Sequence, residues 1–215
     1  MIELIDVTKT YGNSTVVDGV TAKFQKGKIT GIVGRNGSGK TVLLKMICGL
    51  IKCSAGQIKV DGKLIGKDID FPESLGVIIE TPGFLPYQSG YQNLKELALI
   101  NKKIGKEEIR KSIVRVGLEA AGKKKVGKYS LGMRQRLGIA QAIMEDPDLL
   151  ILDEPMNGLD EQGVKDIRGL LAELRDNGKT ILIASHNRED IEILCDEVYR
   201  MDAGVLSRQQ KNVDD

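Results

Sequence analysis

The sequence of 215 residues has few of the side chains that build disulfide frameworks or structural metal centres. It contains three cysteines, Cys48, Cys53 and Cys195, and a single histidine. The cysteines are odd in number and show no CxxC spacing, which is typical of reduced thiols in a cytosolic protein. We therefore expect neither disulfides nor a cysteine-based metal framework.

The sequence also lacks long hydrophobic runs and a strong excess of charge. No apolar run approaches the roughly 18 residues that a membrane span needs, and acids interrupt the first six residues, unlike in a signal peptide. Any membrane role must therefore come through a partner. A formal net charge of +2 gives no reason to expect nucleic acid as a partner, and the run Lys123-Lys124-Lys125 is interpreted as a solvated loop.

The N-terminal region has the pattern of an antiparallel β element. Val16, Asp18, Val20, Ala22 and Phe24 share one parity, which predicts that they lie on one face of a strand. The dipeptide Asp61-Gly62 between two extended runs predicts a two-residue hairpin. We expect these strands to form a small β subdomain of their own.

The remaining patterns predict an α/β fold. Residues 29–33 are apolar without alternation, as in a parallel strand buried on both faces, and strands alternate with helices again after residue 149. Hydrophobic content of 41% and charged content of 29% are those of an ordinary globular protein. We expect one domain with a mostly parallel core sheet, an N-terminal antiparallel β subdomain and an inserted α-helical subdomain. Its expected parts are an α/β core of residues 1–80 and 146–206, a helical segment of 81–145 and a C-terminal tail of 207–215.

A glycine-rich segment follows the predicted strand 29–33 and precedes a helix. It has the P-loop spacing Gly-x4-Gly-Lys-Thr, in which backbone N–H groups and a helix N-terminus surround phosphate oxygens. Lys40 is expected to reach the β- and γ-phosphates, and the Thr41 hydroxyl to bind Mg²⁺. The segment, here called the phosphate loop, consists of Gly34, Arg35, Asn36, Gly37, Ser38, Gly39, Lys40 and Thr41.

Polar side chains also close two later strands. Asp153 and Glu154 end one strand, and the single histidine, His186, follows another. Because ligands bind at the carboxyl ends of parallel strands, we expect these groups to meet the phosphate loop in one nucleotide site. Asp153 is predicted to bind the metal ion, and Glu154 to polarise the attacking water.

The segment of residues 129–136, here called the signature segment, resembles the signature motif of ATP-binding cassette (ABC) ATPases. That motif is usually Leu-Ser-Gly-Gly-Gln followed by a helix rich in glutamine and arginine. Ser130, Gly132 and Arg136 match it, and three residues depart from it: Tyr129, Leu131 and Met133.

Other features that the resemblance implies occur in the same order along the chain. Tyr11 fits the aromatic residue that stacks on adenine, with Val16 beside the same base. Asp160 fits the D-loop, and His186 fits the switch histidine, which completes a catalytic set with Glu154 and Lys40. The resemblance runs from Ile2 to about Leu206.

The resemblance implies the cofactors and partners. ATP and Mg²⁺ would bind between two copies arranged head to tail, as a nucleotide-dependent homodimer or as a heterodimer with a similar subunit. Ser130, Gly132 and Met133 would contact ATP held on the phosphate loop of the other copy. A separate transmembrane permease would complete the transporter and hold the chain at the inner face of the membrane.

One departure from the family pattern stands at the end of a short strand. Most members have a glutamine there, which touches Mg²⁺ and the attacking water, and this chain has Glu80. The glutamate, the proline-rich loop after it and the signature segment together resemble ABC subunits that export bacitracin- and lantibiotic-type peptides. Export of a peptide antibiotic, lantibiotic or similar amphiphile is therefore expected, with Glu80 near the metal and nucleotide.

Three alternatives stay open on sequence grounds. A soluble ABC protein that acts on ribosomes or DNA usually has two cassettes or a long coiled-coil insertion, and neither is seen. An ABC-like regulator that binds ATP to hold a membrane complex together would not need Glu154 and His186. An unrelated P-loop kinase would need a second substrate pocket, for which there is no signal.

Overall fold

The structure is a computed structural model and describes residues 1–209. Its strands are β1 (Ile2–Tyr11), β2 (Ser14–Phe24), β3 (Ile29–Val33), β4 (Ala55–Val60), β5 (Lys63–Leu64), β6 (Leu75–Ile78), β7 (Leu149–Asp153), β8 (Thr180–Ser185), β9 (Glu197–Asp202) and β10 (Val205–Gln209). Its α-helices are α1 (Lys40–Ile47), α2 (Gly90–Asn101), α3 (Lys106–Arg115), α4 (Leu131–Ile143), α5 (Glu161–Asp176) and α6 (Arg188–Leu194). Over residues 1–209, none of the helices has the length and apolar character needed to cross a membrane.

The strands form two sheets, which confirms the predicted α/β fold class. One is antiparallel, in the order β2-β1-β4-β5, and the other has the order β10-β9-β3-β8-β7-β6. In the larger sheet every neighbouring pair is parallel except the edge pair β9–β10. All residues of β3, β7 and β8 are buried, as expected of parallel strands covered on both faces.

The larger sheet separates two hydrophobic cores. Leu149 and Ile151 of β7 pack in the core that contains α1 and the antiparallel sheet. Leu150 and Leu152 point to the opposite face and pack with residues of α2 to α6. Because successive strand residues face opposite sides, every residue of this strand is apolar until Asp153.

The N-terminal sheet contains the predicted hairpin but departs from the predicted parity. Val60 pairs with Lys63 across Asp61 and Gly62, and both turn residues have positive φ. In β2, Val20, Ala22 and Phe24 are buried and alternate with exposed residues, as predicted. The predicted parity was wrong before Gly19, where Val17 is buried while Val16 is half-buried and Asp18 is exposed. The cause is a bulge: Val20 pairs with Val7 and Val17 with Lys9, which places one extra residue in β2, and Gly19 adopts φ +56° there.

The helical segment and the tail also differ in detail from the expectation. Helices α2, α3 and α4 all occur between β6 and β7, and the subdomain boundaries at residues 80 and 146 stay a prediction. Residues 207–209, the first part of the expected tail, pair with β9 as the end of β10. The rest of that tail, 210–215, lies outside the described residues.

The strand order brings four carboxyl ends to one edge of the larger sheet. The neighbours β3, β8, β7 and β6 are parallel, and they lead into the phosphate loop, Ser185, Asp153 and Glu80, respectively. The sheet therefore brings together chain segments that are more than a hundred residues apart in sequence.

Gly76 on β6 lies where the larger sheet packs closely against α4. A Cβ atom at Gly76 would lie 2.0 Å from the carbonyl oxygen of Ala142 and 2.7 Å from Leu150 Cδ2. We expect Gly76→Ala to lower the free energy of unfolding by about 2–3 kcal/mol, because the backbone oxygen cannot move away without shifting α4. The measurement is equilibrium unfolding in urea.

Gly169 on α5 is the matched control, because a Cβ atom added there would meet no other atom within 4 Å. Gly169→Ala should raise the free energy of unfolding by about 0.5–1 kcal/mol, since it only restricts the unfolded chain. Equal effects of the two substitutions would contradict the packing described for β6.

Candidate active site

The phosphate loop connects β3 to α1, and two of its backbone carbonyl oxygens bind the side chain of Lys40. The Lys40 side chain is buried, and its Nζ lies 2.7 Å from the carbonyl oxygen of Gly34 and 3.1 Å from that of Arg35. Gly39 has φ +105°, and a Cβ there would lie 2.5 Å from the carbonyl oxygen of Val16. Only glycine fits at this position, because β2 passes directly beside the loop.

A depression of about 320 Å³ opens at the loop. It is lined by the backbone and side chains of Val16, Asn36, Gly37, Gly39, Lys40, Thr41, Val42, Asp153 and Glu154. Most of the predicted phosphate- and metal-binding residues therefore share one cavity.

The Thr41 hydroxyl donates a hydrogen bond of 2.6 Å to Asp153 Oδ2. Asp153 is only 7% exposed at the end of β7, and this burial raises the pKa of its carboxyl above the usual value. The hydrogen bond from Thr41 lowers the pKa, and the nearby charge of Glu154 raises it. The site thus contains a buried carboxylate that lacks a full countercharge.

Glu154 is held by the end of β8. Its Oε2 accepts a hydrogen bond from the Ser185 hydroxyl at 3.2 Å, and its Oε1 lies 2.9 Å from His186 Nδ1 and 3.0 Å from the His186 backbone nitrogen. Glu154 itself has φ +50°, an uncommon conformation for a residue with a side chain. The predicted pair of Glu154 and His186 is therefore in contact.

Two residues in this cluster were missed by the sequence analysis. Ser185 is buried and its Oγ also accepts a hydrogen bond from the Asn187 backbone nitrogen. Gln135 of α4 donates from Nε2 to the carbonyl oxygens of Glu154 and Pro155, at 3.2 and 3.1 Å. A serine beside the histidine was the only local signal, and nothing in the spacing connects Gln135 to a strand end 19 residues away.

Glu80 lies two residues beyond β6 and has φ +61°. Its side chain is 66% exposed, and Oε1 forms an ion pair of 2.6 Å with Nζ of Lys45 on α1. Its negative charge is close enough to raise the pKa of Asp153 further. The charge of Glu80 therefore acts on Asp153, while its predicted contact with the metal ion stays a prediction.

Tyr11 is not part of the loop depression. It lies at the tip of the β1–β2 hairpin with its side chain 51% exposed, and Nζ of Lys9 lies 4.9 Å from its ring centroid. The role of Tyr11 in adenine stacking stays a prediction.

The signature segment lies at a different depression, of about 570 Å³. Ser130 caps α4 by accepting a hydrogen bond from the Met133 backbone nitrogen at 3.2 Å, and Asp160 caps α5 in the same way through Gly163. Ser130, Gly132, Met133 and Asp160 all line this second cavity. Within one chain these four residues are therefore separated from the phosphate loop cavity.

The donors at the loop suit Mg²⁺. They are oxygen atoms of a hydroxyl and a carboxylate, the ligand types that Mg²⁺ prefers. Over residues 1–209 no group of three or more His, Cys, Asp or Glu side chains could hold a metal ion. The arrangement thus fits an ion that binds through one or two protein groups and completes its shell with phosphates and water.

Comparison with known sequences identifies a family. The sequence profile of a family described as "ABC transporter" matches residues 17–157. The uncharacterized ABC transporter ATP-binding protein YybJ of Bacillus subtilis is 47% identical over 98% of this chain and 97% of its own length. The bacitracin transport ATP-binding protein BcrA of Enterococcus faecalis is 44% identical over 96% of this chain and 68% of its own length. The lantibiotic transport ATP-binding protein SrtF of Streptococcus pyogenes is 36% identical over 91% of this chain and 84% of its own length.

Comparison with solved structures agrees on the fold. A dimeric post-hydrolysis state of the ATP-binding cassette MJ0796, bound to ADP and Pi, superposes with a TM-score of 0.88, 24% identity and 99% coverage of both chains. The structure of cbiO1 from Clostridium perfringens, part of the complex cbiONQ, has a TM-score of 0.82 and 30% identity, with coverage of 96% of this chain and 86% of its own.

The buried charge of Asp153 generates a prediction about pH. A carboxyl whose pKa is higher in the folded chain than in the unfolded one destabilises the fold once it is ionised in the native state. Asp153→Asn keeps the oxygen that accepts from Thr41 and removes this charge. We expect it to raise the free energy of unfolding of the nucleotide-free protein at pH 7–8.

The sign of the pH dependence follows from the direction of the shift. The free energy of unfolding that Asp153→Asn gains should be complete above the raised pKa of Asp153 in the folded wild-type protein. The gain should decline as the pH falls below that pKa and vanish below the ordinary Asp pKa of about 3.9. Urea unfolding of both proteins at several pH values measures the difference. A gain that does not change with pH would contradict the assignment to a buried charge.

Proposed function

The chain belongs to the ABC transporter family and is an ATP-binding, ATP-hydrolysing subunit of that class, and from this premise we propose that it drives export through a separate membrane permease. The proposed cargo is a peptide antibiotic, a lantibiotic or a similar amphiphile. Two relatives named for bacitracin and lantibiotic transport support this cargo. The combination of Glu80, the proline-rich loop after it and the signature segment supports it as well.

The observation that carries the proposal is the meeting of four strand ends. The phosphate loop, Asp153, Glu154 with His186, and Glu80 all lie at the same edge of the larger sheet. Such a set combines phosphate binding, metal binding and activation of water in one place, which phosphoryl transfer to water requires.

The proposed binding step uses the groups of the phosphate loop. The β- and γ-phosphates of ATP replace the carbonyl oxygens of Gly34 and Arg35 as partners of Lys40. Backbone N–H groups from Gly34 to Thr41 and the N-terminus of α1 surround the phosphate oxygens. Thr41 and Asp153, with Glu80 nearby, hold Mg²⁺, which when bound neutralises charge on the β- and γ-phosphates.

The proposed hydrolysis step belongs to the Glu154 cluster. Glu154 accepts a proton from the attacking water, and Ser185 and the His186 backbone keep its carboxylate in place. Nδ1 of His186 contacts Glu154, so its Nε2 is the nitrogen left to face the γ-phosphate. Nε2 donates a hydrogen bond to that phosphate, while Nδ1 donates to Glu154, when both ring nitrogens carry a proton. Lys40 stabilises the charge that develops on the same phosphate.

The second cavity supports a proposed head-to-tail dimer. Four residues, Ser130, Gly132, Met133 and Asp160, line a depression other than the one at the phosphate loop of their own chain, and we propose that they contact nucleotide held by another chain. That chain is a second copy or a similar subunit. On the adenine side we propose stacking on Tyr11, with Val16 beside the base.

The proposed location is the inner face of the cell membrane, through the permease. A soluble ATPase that acts on ribosomes, and an ATP-gated regulator of a membrane complex, predict different partners. Recovery of partners separates the ribosome-bound ATPase from the transporter subunit. The ATP-gated regulator would need no hydrolysis, so the ATPase rate of the wild-type chain separates it from the transporter subunit.

Glu154→Gln tests the proposed chemistry. Glutamine can keep the hydrogen bond with Ser185 but cannot accept a proton, so we expect ATP hydrolysis to fall about 100-fold or more while ATP affinity is retained. Steady-state hydrolysis and equilibrium ATP binding measure the two effects. Glu96→Gln, on the exposed side of α2, is the matched control and should keep wild-type rates. A wild-type rate in Glu154→Gln would remove Glu154 from the mechanism.

Recovery of partners tests the transporter assignment. Tagged Glu154→Gln protein is incubated with ATP and Mg²⁺ in detergent-solubilised native membranes, and mass spectrometry identifies what it retains. We expect a polytopic membrane protein that is recovered with ATP and lost without it. Ribosomal proteins, or a self-dimer alone, would contradict the transporter assignment and favour a soluble ABC ATPase.

A further inference from the structure

A lysine of α1 lies against the glutamate that replaces the family's usual glutamine. Lys45 comes four residues after Thr41, so both side chains lie on one face of α1, one turn apart. Helical side chains point towards the helix N-terminus, and the Lys45 ammonium accordingly reaches back towards the site. There it forms the ion pair of 2.6 Å with Glu80.

This pair connects the two elements on either side of the predicted metal position. Lys45 belongs to the helix that carries Thr41, and Glu80 follows β6, whose Ile78 pairs with Leu152 directly before Asp153. The Lys45 side chain is 28% exposed and Glu80 is 66% exposed. Such an exposed pair stabilises a fold little, so its effect is expected on the charge at the site.

Charge balance gives the pair a purpose. A glutamine at position 80 would add no charge to the site. A glutamate at position 80 that is paired with a lysine also adds no net charge, because the two charges cancel. An unpaired Glu80 would instead join Asp153 and Glu154 as a third carboxylate beside the triphosphate. It would repel metal-free ATP and offer a further oxygen ligand to Mg²⁺.

We propose that Lys45 is a positioning residue that restrains the Glu80 carboxylate and thereby sets the balance between metal-free and metal-bound ATP at this site. Lys45 competes with Mg²⁺ for the same carboxylate. This inference rests on the proposed function, because it concerns the same nucleotide site.

The experiment measures binding, independently of turnover. The affinity of the full-length protein for a non-hydrolysable ATP analogue is determined with Mg²⁺ and with EDTA. The dissociation constant in EDTA divided by that with Mg²⁺ reports how strongly the metal ion favours binding. Wild-type, Lys45→Ala, Glu80→Gln and the double variant form a cycle, and Lys52→Ala, an exposed lysine just beyond α1, is the matched charge control.

The expected result is a coupled effect. Lys45→Ala should raise the preference for metal-bound ATP about fivefold, within the usual coupling of residues in contact. In the Glu80→Gln background the same substitution should have little effect, because no carboxylate remains to be released. Lys52→Ala should leave the ratio unchanged. Lys45→Gln, which keeps the aliphatic stem, should reproduce Lys45→Ala if loss of charge is the cause.

Two results would overturn the proposal. One is that Lys45→Ala raises the ratio equally in the wild-type and Glu80→Gln backgrounds. Lys45 would then act on the nucleotide as a positive charge, independently of Glu80. The other is a Lys45→Ala ratio equal to that of wild-type or Lys52→Ala. A wild-type chain that binds no nucleotide would instead overturn the proposed function, and the inference with it, so the two failures are distinguishable.

Discussion

The hydrogen bond between the Thr41 hydroxyl and the Asp153 carboxylate joins the two elements on which the rest of the site depends. It connects the start of α1 to the end of β7, two strands away from the β3 strand that leads into α1. β8 lies between them and supplies Ser185 and His186, which hold Glu154. A parallel sheet in this order places all of these groups at one edge, and a different strand order would separate them.

Helix α4 links this edge to the cavity of the signature segment. Its N-terminus is capped by Ser130, while Gln135 one turn later donates to the backbone of Glu154. Further along, a Cβ at Gly138 would lie 2.7 Å from Pro82, in the loop that follows Glu80. The same helix thus contacts a predicted dimer surface, the strand end that carries Glu154 and the loop after β6. A movement of α4 would change the contacts at all three places. Such a shared element is what coupling of the proposed hydrolysis to a partner protein would require.

The elements that were predictable from sequence are those that local patterns determine. The phosphate loop, the hairpin at Asp61-Gly62 and the buried strands follow from glycine spacing and apolar runs, and the structure contains all of them. The bulge at Gly19 and the pairing of residues 207–209 with β9 depend on a neighbouring strand, and Gln135 finds its partner across the fold. These contacts arise from tertiary packing, so no spacing of residues in the sequence predicts them.

Both lysines at the site already have partners before a ligand arrives. Lys40 is bound to two carbonyl oxygens of its own loop, and Lys45 is bound to Glu80. Glu154 is similarly bound by the end of β8. Nucleotide therefore exchanges existing hydrogen bonds for new ones, and such exchanges contribute only modest net free energy each. In the proposed binding step, a triphosphate with its metal ion would replace these partners, since it would satisfy Lys40 and the loop N–H groups and give Asp153 a countercharge. On this proposal, selectivity for ATP over smaller anions would come from the number of such exchanges that a ligand completes at once.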